Sequence, residues 1–257
     1  MAASGPDGSR AHRAVRSAAA TTLGTVSTDP ASAPLGERAT TDLDAVIGSR
    51  VLAVPLGSTE QHGPHLPLAT DTLIAAALVE RVASSRTDVL AAPALPYGSS
   101  GEHTGFAGTL SIGQAALEAV VVELVRSADR FAATLLVCGH AGNAEPVTRA
   151  VRTLRAEGRR VTAWFPVVPG GDAHAGRTET ALMLALKPEL VRLDRARPGA
   201  TAPLAVVLPA LRTSGVAGVS PNGVLGDPTG ADADEGAALV ERFVVELAAL
   251  VDELRST

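Results

Sequence analysis

Short unbroken apolar runs alternate along this chain with longer segments whose apolar residues recur at helical spacing. Val51–Leu56, reading VLAVPL, has no polar interruption, the pattern of a parallel strand buried on both faces. Runs at 89–94, 134–138 and 160–164 predict three more strands. The segments at 72–84, 114–128 and 144–157 predict helices between and after them. Another helix opens within 174–180 and runs to 186, and the last covers 232–254. A lead-in with a short helix over 35–46 feeds the first strand, and 214–230 reads as a glycine-rich stretch. Strands alternating with helices at this spacing predict an α/β fold with a parallel sheet.

The chain has 257 residues, enough for a single α/β domain over 35–257. Apolar residues make up 46% and aromatics only 2%, so Ala, Val and Leu must fill the core by close packing. A formal charge of −5 argues against a nucleic-acid partner, which would call for a basic surface. Cys138 is the only cysteine; this excludes an intrachain disulfide and fits a reducing, cytoplasmic compartment. No apolar run is long enough to span a membrane. Residues 1–34 are rich in Ala, Ser, Thr and Gly, with Arg10, Arg13 and Arg16. They read as a disordered extension or an over-early start, since no apolar segment of an export signal follows the arginines.

Three polar loops, at 57–71, 139–143 and 171–180, follow predicted strands and precede predicted helices. In a parallel sheet such loops gather at the carboxyl-end rim, where open α/β folds keep their chemistry. The first holds Glu60, His62, His65 and Asp71. Acidic residues are rarely buried unless paired or metal-bound, and mixed carboxylate and imidazole donors suit zinc, iron or manganese. By spacing alone, a solvated loop with scattered charges explains the pattern equally well. His140 is either a ligand beside close-packed glycines or a loop histidine bonded to a carbonyl. Glu179 is either a ligand or a charge that compensates a helix N-terminus. His174 is either a catalytic imidazole or a capping residue. His65, between Pro64 and Pro67, reads as structural, and Cys138 as core. The absence of G-x-G-x-x-G after the first strand, and of any Walker sequence, excludes common nucleotide-binding classes.

Four separated motifs carry a resemblance. PLGSTEQHGPHLPLATDT at 55–72, EHTGF at 102–106, HAGN at 140–143 and HAGRTETA at 174–181 are similar to signatures of the creatininase family of metal-dependent amidohydrolases. Within it the chain most resembles the branch acting in mycofactocin biosynthesis. The resemblance implies a three-layer αβα sandwich with a mostly parallel central sheet. It also implies two divalent ions (Fe2+, Zn2+ or both, or Mn2+), one held by Glu60, Asp71 and His140 and the other by His62, Asp71 and Glu179. His174 would be the catalytic proton carrier, while Glu102 and His103 would position substrate. The implied reaction releases a C-terminal Val-Tyr-derived dipeptide from a small modified precursor peptide; the alternative is hydrolysis of a small cyclic amide or formamide. A homo-oligomer, hexameric in the family, is implied as well. The chain departs from the family pattern at Ala107, Ala141 and Ala181, and at Gly142, where creatininase itself has a ligand glutamate.

Overall fold

Four parallel strands in the order β2–β1–β3–β4 form the sheet: β1 Val51–Leu56, β2 Val89–Ala91, β3 Ala133–Cys138 and β4 Val161–Trp164. This computed structural model describes residues 1 and 33–256, so the expected extension at 1–34 lies almost entirely outside the described residues. The two central strands, β1 and β3, are buried at every position and pair from Val51 with Ala133 to Leu56 with Cys138. Their carboxyl ends therefore stop level, and the loops that follow leave the sheet side by side.

Residue parity along the strands divides two hydrophobic layers. On one face Val51, Ala53, Leu135 and Val137 meet Ile74, Leu78 and Val82 of helix α2 (Thr70–Ser85). Leu182 and Met183 of α5 (Arg177–Leu186) and Phe243, Leu247 and Val251 of α7 (Ala233–Ser256) complete that layer. On the other face Leu52, Val54, Leu56 and Leu136 meet α3 (Gly113–Ser127) and α4 (Ala144–Ala156), through Leu117, Val121, Val147 and Leu154. The result is the expected αβα sandwich with a parallel sheet. Among the described residues Phe243 is the largest fully buried side chain, and its ring meets Trp164 edge-on at 5.1 Å.

Three elements differ from the sequence reading. β2 stops at Ala91 rather than reaching residue 94, because the ladder there meets Pro55 of β1, which has no amide hydrogen to give the Ala92 carbonyl. The chain still tracks β1, with Ala92 N donating to Ala53 O and Leu95 N to Pro55 O. The lead-in forms only the short α1 (Thr40–Leu43) between two 3-10 turns; no residue of these turns is buried, so no packing extends them. Leu204–Val219, which the pattern did not announce, is a helix, α6. It is apolar nearly throughout, so it lacks the periodicity that marks an amphipathic helix. It contains Pro209 and breaks at Gly215, whose φ of +65° lies in the left-handed region.

With so few aromatics in the chain, Phe243→Ala should be costly. Removing this buried ring is expected to destabilise the fold by about 3–5 kcal/mol, read as a lower midpoint in chemical denaturation. A change below about 1 kcal/mol would mean that the layer under α7 collapses to fill the void.

Candidate metal centre

The carboxyl ends of β1 and β3 deliver the site. The loop after β1 carries Ser58, Glu60, Gln61 and His62, and the first turn of α2 carries Asp71. His140 follows β3, Glu179 lies in the first turn of α5, and Glu102 and His103 sit on a 3-10 turn, Gly101–His103. His174 precedes α5, held by a two-way backbone bridge with Leu225 (His174 N to Leu225 O 3.3 Å; Leu225 N to His174 O 2.8 Å). Between His174 and the helix, Ala175 adopts φ +50°, a strained value for a residue with a Cβ. Its N–H donates to Glu179 Oε2 at 2.6 Å.

Glu60 lies at the centre and is 0% exposed. His103 Nε2 approaches Oε1 to 3.2 Å and His140 Nε2 approaches Oε2 to 3.2 Å. Neither approach has hydrogen-bond geometry, and both carboxylate oxygens are left without a partner. Sealing a carboxylate from water with no bond to either oxygen is costly, and a bound cation is what relieves that cost.

Asp71 divides its two oxygens. Oδ1 is 3.1 Å from His62 Nε2, and Oδ2 is 3.3 Å from His140 Nδ1 and accepts the Ser58 hydroxyl at 2.5 Å. His62 donates Nδ1–H to the Glu60 carbonyl at 3.1 Å. Its Nε2 is thereby turned toward Asp71 and toward Glu179, 3.9 Å away, an outer bond of the kind that orients metal-binding imidazoles. Ligand atoms of Glu60, Asp71 and His140 all lie within 4.8 Å of one another, as do those of His62, Asp71 and Glu179; Asp71 belongs to both groups. A third group joins Glu60 and His62 to His174.

The electrostatics are those of a crowded polar cluster in a dry place. Burial pushes Glu60 up to about 7, against the pull of His140. Burial opposes charge on His62 and His140, but Asp71 lifts the first to about 9 and Glu60 the second to about 10. Asp71 is also penalised by burial, yet His62 and His140 hold it well below the usual carboxylate range. Glu179 is raised by burial. Protons on two histidines thus balance the carboxylates where cations would. His174 departs from the near-neutral value expected of a proton carrier: burial and the neighbouring His62 push it well below the ordinary imidazole range.

Gly142 is a close-approach glycine. A Cβ there would lie 2.3 Å from Glu102 Oε1 and 2.4 Å from His140 Nε2. The Glu102 carboxylate, 3.6 Å from His140 Nε2, thus extends into the space a side chain at 142 would occupy. Asn143, the last residue of HAGN, ties the loops together: Nδ2 donates to Gly57 O at 2.9 Å and Oδ1 accepts from Ser99 N at 2.8 Å. Sequence reasoning passed over Ser58, Gln61 and Asn143. Their signal was position, inside the motifs and next to charged residues. His65 is buried and shares a hydrogen bond with Thr180 Oγ1 at 2.9 Å, and Cys138 is buried in the core, both in accord with structural roles.

A family model described as creatinine amidohydrolase matches residues 37–251. The chain belongs to the creatininase family. A relative in Mycobacterium tuberculosis (strain CDC 1551 / Oshkosh), named mycofactocin precursor peptide peptidase, is 49% identical over 85% of this chain and 92% of its own length. The solved structure of a manganese creatininase superposes with a TM-score of 0.72 at 31% identity, over 85% of this chain and 97% of that one. A variant creatininase of Zn–Zn type gives 0.70 at 31% identity, over 85% and 96%. Creatininase-family membership makes this chain a hydrolase, and the His, Glu and Asp groups at its rim are candidate metal sites.

Gly142→Ala is expected to push Glu102 and the His140 ring apart and to lower zinc content measured by elemental analysis, with the fold kept by circular dichroism. Full metal content would show that the loop yields without moving His140. A divalent ion must also displace the protons that His62 and His140 keep up to about 9 and 10. Zinc affinity should therefore rise as pH goes from about 6 towards 9, with proton release on binding, measured by calorimetry in buffers of different ionisation enthalpy. Affinity independent of pH would contradict this charge balance.

Proposed function

We propose that this creatininase-family hydrolase is a dinuclear metallopeptidase. Its reaction would release the C-terminal Val-Tyr-derived dipeptide from the modified mycofactocin precursor by hydrolysis of a C–N bond. The observation that carries the metal reading is Glu60, fully buried with neither oxygen bonded. Glu60, Asp71 and His140 would hold one ion, and His62, Asp71 and Glu179 the other, with Asp71 shared. Divalent iron, zinc or manganese bound there supplies Lewis acidity and acidifies water. Asp71, steadied by Ser58, keeps the two imidazoles at a set separation. His174 carries the proton, and Glu102 and His103 face the substrate side.

The choice of substrate rests on the relatives. The mycobacterial protein at 49% identity is named for the precursor peptide, whereas the creatininase structures stand at 31%. The same reading takes 35–257 as one catalytic domain working in the cytoplasm, and the described residues contain no helix long and apolar enough to cross a membrane. It also includes a homo-oligomer, hexameric as in the family. The exposed apolar side chains of α6, among them Leu204, Val206 and Leu208, are consistent with such an assembly.

The test offers the modified precursor peptide and creatinine side by side to protein reconstituted with iron and zinc, beside a chelated sample and Asp71→Ala. Metal-dependent release of the dipeptide is expected, falling to the chelated background in the variant, as read by mass spectrometry. Creatinine ring opening without peptide cleavage would sink the peptidase assignment and leave a small-amide hydrolase.

A further inference from the structure

Gln61 stands between Glu60 and His62, and all its polar atoms are engaged. Its backbone N–H donates to Thr109 Oγ1 at 3.1 Å, and its side-chain Oε1 accepts from Gly63 N at 2.9 Å. That second contact fixes which end of the carboxamide is oxygen, because an NH2 facing another N–H would repel it. The NH2 group then faces Gly223 O at 3.0 Å, His103 Nδ1 at 2.8 Å and His174 Nε2 at 3.1 Å. Three neighbours compete for two hydrogens.

The backbone carbonyl of Gln61 resolves the competition. It lies 2.8 Å from His174 Nε2. A carbonyl can only accept, so His174 Nε2 carries a hydrogen and cannot accept one from the carboxamide. The two carboxamide hydrogens therefore go to Gly223 O and His103 Nδ1. His103 Nδ1 is then a lone pair, and its hydrogen sits on Nε2, 3.2 Å from Glu60 Oε1. His174 is set in the opposite sense: its Nδ1 lone pair faces the cluster, 3.7 Å from Glu60 Oε1. The two rings, with centroids 4.5 Å apart, present one donor and one acceptor to the same carboxylate.

We propose that Gln61 is a positioning residue that sets two neighbouring imidazoles in the same Nε2–H tautomer but opposite orientations, so that His103 turns an N–H and His174 a lone pair to the cluster. The backbone carbonyl holds His174, the carboxamide holds His103, and the same NH2 ties the Gly223 loop to His103. In the hydrolytic reading on which this rests, His174 keeps Nε2–H on Gln61 O and turns its Nδ1 lone pair to the reacting centre, and His103 offers Nε2–H to an oxygen of the substrate.

The test reads tautomers directly, so it does not depend on knowing the substrate. Zinc-loaded protein labelled with 15N-histidine is studied by long-range proton–nitrogen correlation, and the signals of His103 and His174 among the six histidines are assigned from His103→Gln and His174→Gln. In the wild type, His103 should show hydrogen on Nε2 and none on Nδ1, and His174 should show hydrogen on Nε2. Gln61→Glu replaces the donor with an acceptor and should invert His103 alone. Gln61→Met should leave His103 a mixture. With whichever amide the enzyme turns over, both variants should lose about 10- to 100-fold in kcat with KM changed less than about twofold. Hydrogen on Nδ1 of His103 in the wild type, a bare Nε2 on His174, or a His103 spectrum unaltered in both variants would each overturn the proposal. The wild-type spectrum decides even if a variant fails to fold. Absence of peptide cleavage alongside the expected tautomers would count against the peptidase reading alone.

Discussion

The burial of Glu60 is the constraint on which the rest of the site depends. A carboxylate in the loop after the central strand β1 has lost its water and gained no hydrogen bond in exchange. Such a group is stable only in a field of positive charge. His140, approaching to 3.2 Å, supplies that field, while His103 and His174 stand at 3.2 and 3.7 Å as neutral rings. Asp71 completes the arrangement by facing His62 with one oxygen and His140 with the other. In the metal-free protein, protons on His62 and His140 balance these carboxylates, so proton and metal occupancy are alternative solutions to one electrostatic problem.

The scaffold makes this crowding possible. β1 and β3 pair without offset at their carboxyl ends, and this alone brings Glu60, His62 and His140 to one rim. Asp71 and Glu179 each lie in the first turn of a helix, where a negative charge is favoured. Both helices pack against the same sheet face with α7. The core beneath is made mainly of Val, Leu and Ala, so helices sit close to the sheet and little slack separates the ligand-bearing segments.

The outer wall of the site is built differently. Glu102 and His103 ride on a short 3-10 turn, and α6, which packs on that turn near its break at Gly215, buries only Val216. The inner residues are held by buried pairing on every side, whereas this wall has one packed face. The inner cluster is thus held more tightly than the wall beside it. The wall also accounts for Gly142: with no side chain there, a carboxylate from the wall comes within 3.6 Å of His140.

Much of this was legible along the chain. Uninterrupted apolar runs marked β1 and β3, amphipathic spacing marked the helices over the sheet, and the motifs named the residues of the cluster. Those are local properties of the backbone and of residue type. α6 was not legible, because an evenly apolar segment has no period to read, and the shortening of β2 turned on the one missing N–H of Pro55, opposite it on β1. By itself the sequence determined the α/β alternation, the family and which side chains could bind metal, since each follows from composition, spacing or motif. Only the tertiary structure decided that Glu60 would be left without a bond, that Glu102 would fill the space above Gly142, and that His103 and His174 would face one carboxylate in opposite senses. Each of these is a relation among segments far apart in the chain, and depends on which atoms the packed sheet and loops bring within about 3 Å of one another.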